Sequence, residues 1–151
     1  MIKRIVILVI GILMLTVYTP NSSTYAQLSS REEQIKQIIT NDFKTTHRLN
    51  FNGYQFVNIK DIAPDKANLT IENESLANIL VNISEKQIIG DWAPLFYINT
   101  NKQVGYVLEK KLSGKNILHK LSFNKSQNKW KITDEINIPG KSPIDLGLLE
   151  K

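Results

Sequence analysis

The chain has 151 residues, no cysteine and a formal net charge of +5. The missing thiols exclude disulfides, cysteine nucleophiles and thiolate metal sites, so a packed core must hold any fold unaided. Sixteen lysines against three arginines carry the charge. They are scattered, which argues against a specific nucleic-acid site, because arginine is the usual bidentate reader of phosphate.

Residues 1–26 have the layout of a secretory signal peptide. Lys3 and Arg4 open the chain, Ile5 to Val17 is apolar apart from Gly11 and Thr16, and Thr24-Tyr25-Ala26 supplies small residues before Gln27. Cleavage there places the mature protein outside the cytoplasm, secreted, at the cell surface or in a periplasm. It takes Lys3 and Arg4 from the total of +5, leaving +3. The alternative is an uncleaved anchor at residues 5–18, although a spanning helix needs about 20 apolar residues. A membrane is otherwise not an expected partner. Residues 27–151 suffice for one domain.

Residues 27–30 read as a short leader. Ser30-Arg31-Glu32-Glu33 is a capping box, and Ile35, Ile38, Ile39 and Phe43 follow at helical spacing. The spacing predicts a helix over 31–46 with one face for a sheet. Asn52-Gly53 marks a turn, and 54–62 reads as a strand with Val57 and Ile59 inward. Residues 68–72 suit a short strand. Over 74–83, Leu76, Ile79, Leu80 and Ile83 fit a helix, while Ile79, Val81 and Ile83 fit a strand. The β-branched residues tilt that balance towards strand.

The remainder reads as β. Residues 86–97 are strand-like, with Gly90 a bulge position and Pro94 an irregularity. Strands follow over 103–111, 116–123 and 129–136. In the second of these, Ile117, His119, Leu121 and Phe123 share a face. Turns every 8–12 residues indicate an antiparallel meander. Residues 137–151, with two prolines and two glycines, read as a loop tail outside a single 31–136 domain. The expected class is α+β, an N-terminal helix packed on a curved antiparallel sheet.

Chemistry-bearing residues are sparse. There is no Gly-x-Ser-x-Gly elbow, no Ser-x-x-Lys with its partner motifs and no glycine-rich phosphate loop. The histidines, His47 and His119, lack metal-ligand spacing, so neither a metal nor a cofactor is expected. His119 and Asp91 are the only catalytic candidates, with Tyr106 a possible hydroxyl partner of His119. Trp92, Tyr97, Tyr106, His119 and Trp130 are the candidate ligand-binding residues, supplying apolar area with polar handles.

Gly90-Asp91-Trp92-Ala93, the run to Lys110-Lys111, and Lys129-Trp130-Lys131-Ile132 form a pattern over residues 86–136. It resembles the C-terminal half of exported members of the nuclear-transport-factor-two-like superfamily. The resemblance implies a strongly curved sheet closed by helices into a cone with a pocket. It also implies a role among small-molecule binders, assembly scaffolds or a few isomerases and dehydratases. The chain departs from the pattern in showing one clear helix and no Asp/His pair. A cystatin-like sheet wrapped on one helix fits the same residues.

Three functions follow in order. The first is a non-enzymatic exported domain binding a small apolar ligand or an envelope partner. The second is a protein-interaction subunit or an inhibitor of a secreted enzyme. The third is a small isomerase- or hydrolase-like enzyme using His119 with Asp91 or Tyr106. Oligomeric state is not legible.

Overall fold

A computed structural model describes residues 22–58, 62 and 70–149. The expected signal segment up to residue 21 lies outside the described residues, as do 59–61 and 63–69. The chain divides into Met1–Gln34 and Ile35–Lys151. The second unit is an α+β fold with a five-stranded open antiparallel sheet in the order β1 (Tyr54–Val57), β2 (Leu95–Asn99), β3 (Val104–Lys110), β4 (Lys115–Asn124) and β5 (Lys129–Pro139).

Helix α1 runs from Ser22 to Thr46, and this corrects two expectations. Ser30 lies within the helix rather than capping it, and residues 27–30 are helical rather than a leader. No glycine or proline follows Pro20 before Arg31, so nothing compels the helix to start at the box. The C-terminal turns bury Ile39 and Phe43. The helix ends where Arg48 takes a positive φ of 54° and Leu49 N–H donates to the Lys44 carbonyl.

Helix α2 (Ile71–Ser84) corrects the strand reading of 74–83 and of the end of 68–72. Thr70 is its N-cap, accepting from Asn73 N–H, and Glu72 and Glu74 sit in the first turn, where acids suit the helix dipole. Leu76, Ile79, Leu80 and Ile83 are buried, the i, i+3, i+4, i+7 stripe of a helix. Burial of that stripe, together with the cap, overrides the β-branched preference.

The sheet presents apolar side chains on both faces. Phe96, Val107, Leu121 and Trp130 cluster with Leu76, Ile79, Leu80 and Ile83 of α2. Tyr97, Leu108 and Leu118 cluster with Ile39 and Phe43 of α1. Because successive residues of β2 and β3 alternate between the clusters, each face has its own core. Glu109 and His119, described below, share the parity of Val107, on the α2 face.

Strand boundaries moved in three places. β1 stops at Val57 rather than continuing to Ile62. β2 begins at Leu95 rather than Lys86, because Pro94 has no N–H to give and Gly90 adopts φ +96°. Gly90 therefore makes a turn, not a bulge, and Trp92 lies in the loop before the strand. β5 continues to Pro139, so residues 137–139 are sheet, not tail. Beyond it, Pro143 is buried and Leu148 packs on the α1 cluster. The domain thus extends past residue 136. A register shift between Lys120 and Leu121 leaves Thr133 as the extra residue, its hydroxyl donating to the Lys120 carbonyl.

Candidate functional site

The site forms where the β2 entry loop, the end of β3 and the middle of β4 meet. In the β3–β4 ladder, Val107 faces His119 and Glu109 faces Ile117. Glu109 and His119 are therefore diagonal neighbours on one face, within reach of long side chains. His119 Nε2 lies 3.1 Å from Glu109 Oε2. An ionised carboxylate only accepts, so Nε2–H donates, and Nδ1 is the nitrogen left over. That Nδ1 is buried without a hydrogen bond, and lies 3.5 Å from Glu135 Oε2 on the facing strand.

Lys111, the residue after β3, joins the two halves of the site. Its ammonium pairs with Glu109 Oε1 and stands 3.0 Å from Asp91 Oδ2. Burial alone would push the Glu109 carboxyl up. Hydrogen bonds from His119 and Lys111 outweigh that and hold it below the usual carboxylate range. The Asp91 carboxyl is likewise raised by burial and lowered further by Leu112 N–H, Ile88 N–H and Lys111, with a net fall. Burial lowers Lys111 and its two carboxylate partners raise it, with a net rise. Two carboxylates thus share one cation, and N–H groups of Ile88, Leu112 and His119 supply their remaining bonds.

Asp91 also shapes the loop it belongs to. Its Oδ2 accepts from Ile88 N–H at 3.1 Å and its Oδ1 from Leu112 N–H at 2.9 Å. Asp91 N–H donates back to the Ile88 carbonyl at 3.1 Å. The carboxylate therefore ties the 88–91 turn to the β3–β4 turn. The outcome is an apolar tip: Ile89 is 100% exposed, Ile88 68% and Leu112 40%.

The two catalytic candidates, His119 and Asp91, fall in one network, but only through Glu109 and Lys111, which sequence reasoning missed. The available signal was the parity of Glu109 with Val107 in a strand whose partner carries His119. Tyr106 is not there. It packs with the α1-face cluster and stacks on Tyr54 at 4.9 Å, opposite His119. The ligand candidates are likewise divided. Trp92, Tyr97 and Tyr106 belong to the α1-face cluster, and Trp130 to the α2-face cluster. Tyr97, Trp130 and His119 are buried.

Two clefts on the α2 side have volumes of about 190 Å³ and 290 Å³. The first is bordered by Gln55, Glu72, Asn73, Asn99 and Lys102 among others. The second is bordered by Glu74, Asn78, Asn82 and Lys129, with Trp130 the one ligand candidate at either cleft. Among the described residues no three acids or histidines converge as a metal site, and no helix is long and apolar enough to cross a membrane. The chain matches no family model, no curated protein and no solved structure.

Proposed function

We propose that this protein is an exported, non-enzymatic interaction module that docks to a component of the cell envelope through the Ile88–Ile89 tip. The observation that carries the reading is the contrast within four residues. Ile89 is fully exposed, while the Asp91 side chain is 1% exposed and bonded to both flanking segments. Exposed isoleucines on a pre-organised turn favour contact, because little conformational freedom is lost on docking. Export rests on the basic start, apolar run and Thr24-Tyr25-Ala26 site of the sequence.

The other readings have less support. The aromatic residues that would line an apolar ligand pocket fill two separate cores. Of the two clefts, one is well below the roughly 300 Å³ at which ligand sites begin and the other sits at that lower limit, and both carry polar rims. A hydrolase or isomerase needs a base that substrate can reach. His119 is buried, its Nε2 is bonded to Glu109 and its Nδ1 is shut off from solvent. The cone-like or cystatin-like form of the fold is part of the same proposal. An antiparallel meander with Ile39 and Phe43 of α1 against one face supports it.

The test is a diazirine amino acid placed at Ile89 or, at the far end of β4, at Gln127 in the full chain within the source cell. A discrete adduct with envelope protein or lipid at 89 and none at 127 is the expected outcome. No adduct at either position, or the same adducts at both, overturns the reading.

A further inference from the structure

We propose that the component met by the Ile88–Ile89–Leu112 tip is an anionic lipid surface, with the neighbouring lysines set against its headgroups. This inference rests on the docking reading and names its partner class.

The first argument is hydrogen bonding. Carrying backbone into an apolar interface is costly when its N–H and C=O groups lose water without replacement. At this tip several have replacements already. Ile88 N–H and Leu112 N–H donate to the Asp91 carboxylate, and the Ile88 carbonyl accepts from Asp91 N–H. A merely flexible surface loop has no need for such closure. The turn is also tight: a Cβ on Gly90 would lie 2.9 Å from Leu112 Cδ2. The two segments are thus held side by side.

The second argument is charge. Asp91 and Glu109, the acids behind the tip, are drawn inward and share the one cation of Lys111. Lys86, two residues before Ile88, and Lys115, directly after the 111–114 turn, are exposed. Exposed Lys141 belongs to the same end, since its carbonyl lies 3.3 Å from where Gly114 would carry a Cβ. Glu85 and Asp145 are exposed acids of the same segments. Three exposed lysines thus stand against two exposed acids around the tip, and it is these lysines that would meet anionic headgroups.

The third argument is size. A stable protein interface needs about 800 Å² from each partner, and three side chains on a convex turn supply a small part of that. Interfacial insertion requires no matching cleft and gains affinity from apolar burial and lysine attraction together.

The chain has no cysteine, so Ile89→Cys and Gln127→Cys in the full-length protein each accept one environment-sensitive nitrobenzoxadiazole label. Vesicles of phosphatidylcholine with phosphatidylglycerol, or of phosphatidylcholine alone, carry nitroxide lipids as quenchers. Because the Ile5–Val17 run can itself partition into lipid, the readout is local to the label. The expected result is a blue shift and quenching at 89 on anionic vesicles, and neither at 127. Lys86→Gln and Lys115→Gln each lower the ratio of inserted to free tip about five-fold. No response at 89, equal responses at 89 and 127, or equal responses on neutral and anionic vesicles overturns the lipid assignment. A protein adduct at 89 in cells with no lipid response overturns this inference alone. Absence of both overturns the docking reading as well.

Discussion

Lys110 and Lys111 are adjacent in sequence and opposite in consequence. Lys110 points to the α1 face and is 1% exposed. Its ammonium shares three N–H donors among four acceptors, Asp42 Oδ2 at 2.8 Å, Asn116 Oδ1 at 2.9 Å, the Gly114 carbonyl at 2.9 Å and the Lys141 carbonyl at 2.6 Å. It joins α1, two strands and the segment after β5 in a closed cage. Lys111 points the other way and keeps 17% of its side chain exposed between Glu109 and Asp91. One cation makes the fold and the other positions a surface loop. A buried ion pair is costly to form and more costly to leave half-made; Lys111 differs in that water reaches its own side chain, though not the Asp91 and Glu109 carboxylates, which are 1% and 4% exposed.

The comparison breaks most directly at Lys110. Lys110→Ala leaves Asp42 buried without its cation and is expected to cost about 3–5 kcal/mol. Lys111→Ala leaves two buried carboxylates without their cation, but Asp91 keeps the Ile88 and Leu112 N–H bonds and Glu109 its His119 bond, so the expected cost is smaller, about 2–3 kcal/mol. Urea unfolding of both variants decides the matter, and equal midpoints would end the distinction. Next in size is Gly140→Ala. Its Cβ would lie 2.7 Å from Asp42 Oδ2 and 2.6 Å from Asn116 Cγ, inside the same cage. Such overpacking costs about 1–3 kcal/mol, read as a lower thermal midpoint.

The hairpin that carries both lysines was legible in the sequence. Ile117, His119, Leu121 and Phe123 alternate, and Ser113-Gly114 turns the chain; β4 and its pairing with β3 follow. Helix α2 was not legible, because isoleucine and valine fit either period. Of the deciding facts, the cap at Thr70 is local, a signal the sequence carried, whereas burial of the Leu76–Ile83 stripe is tertiary. Asp91 and His119 were legible as polar candidates, but their connection depends on strand register and on Lys111, whose charge in a hairpin end reads as ordinary surface. Ile88 and Ile89 misled for the opposite reason. Two β-branched residues read as strand and so as buried, while Gly90-Asp91 behind them is what turns them outward.

A smaller perturbation separates the loop from the fold. Asp91→Ala removes the acceptor of two backbone N–H groups and is expected to cost about 1–2 kcal/mol, with faster hydrogen exchange confined to the Ile88 and Leu112 amides. Exchange rising equally in β3 and β4 would mean that Asp91 supports the sheet and not the tip.

The pH response sharpens the same contrast. The Asp42 carboxyl is raised by burial but lowered further by Lys110 and Asn116, with a net fall. Asp42, Glu109 and Asp91 thus all bind protons less readily when folded. Their contribution is complete above the unfolded carboxyl values of about 4 and is lost as pH falls through the lower folded values. Lys111 is raised, so its share is complete below about pH 10.4 and is lost as pH rises through its folded value. His47 acts in the neutral range: desolvation lowers it, so the folded state favours the neutral ring and stability declines as pH drops below about 6.5. Asp42→Asn should flatten the acid limb, and His47→Leu the slope just below pH 6.5, both read from urea midpoints against pH.

The smallest expected effect on stability is the most informative about function. Ile89 is fully exposed, so Ile89→Asp removes no packing, and its midpoint should stay within about 0.5 kcal/mol of the parent. On the proposed docking reading, this exposed residue, on a turn that Asp91 holds in place, serves contact rather than the fold. If Ile89→Asp instead destabilises as strongly as Asp91→Ala, the isoleucine is packed in solution and the tip is not a docking element. If stability is unchanged and the adduct at the tip is lost (the photoprobe moved to Ile88), structure and contact are separable at neighbouring residues, as they are at Lys110 and Lys111.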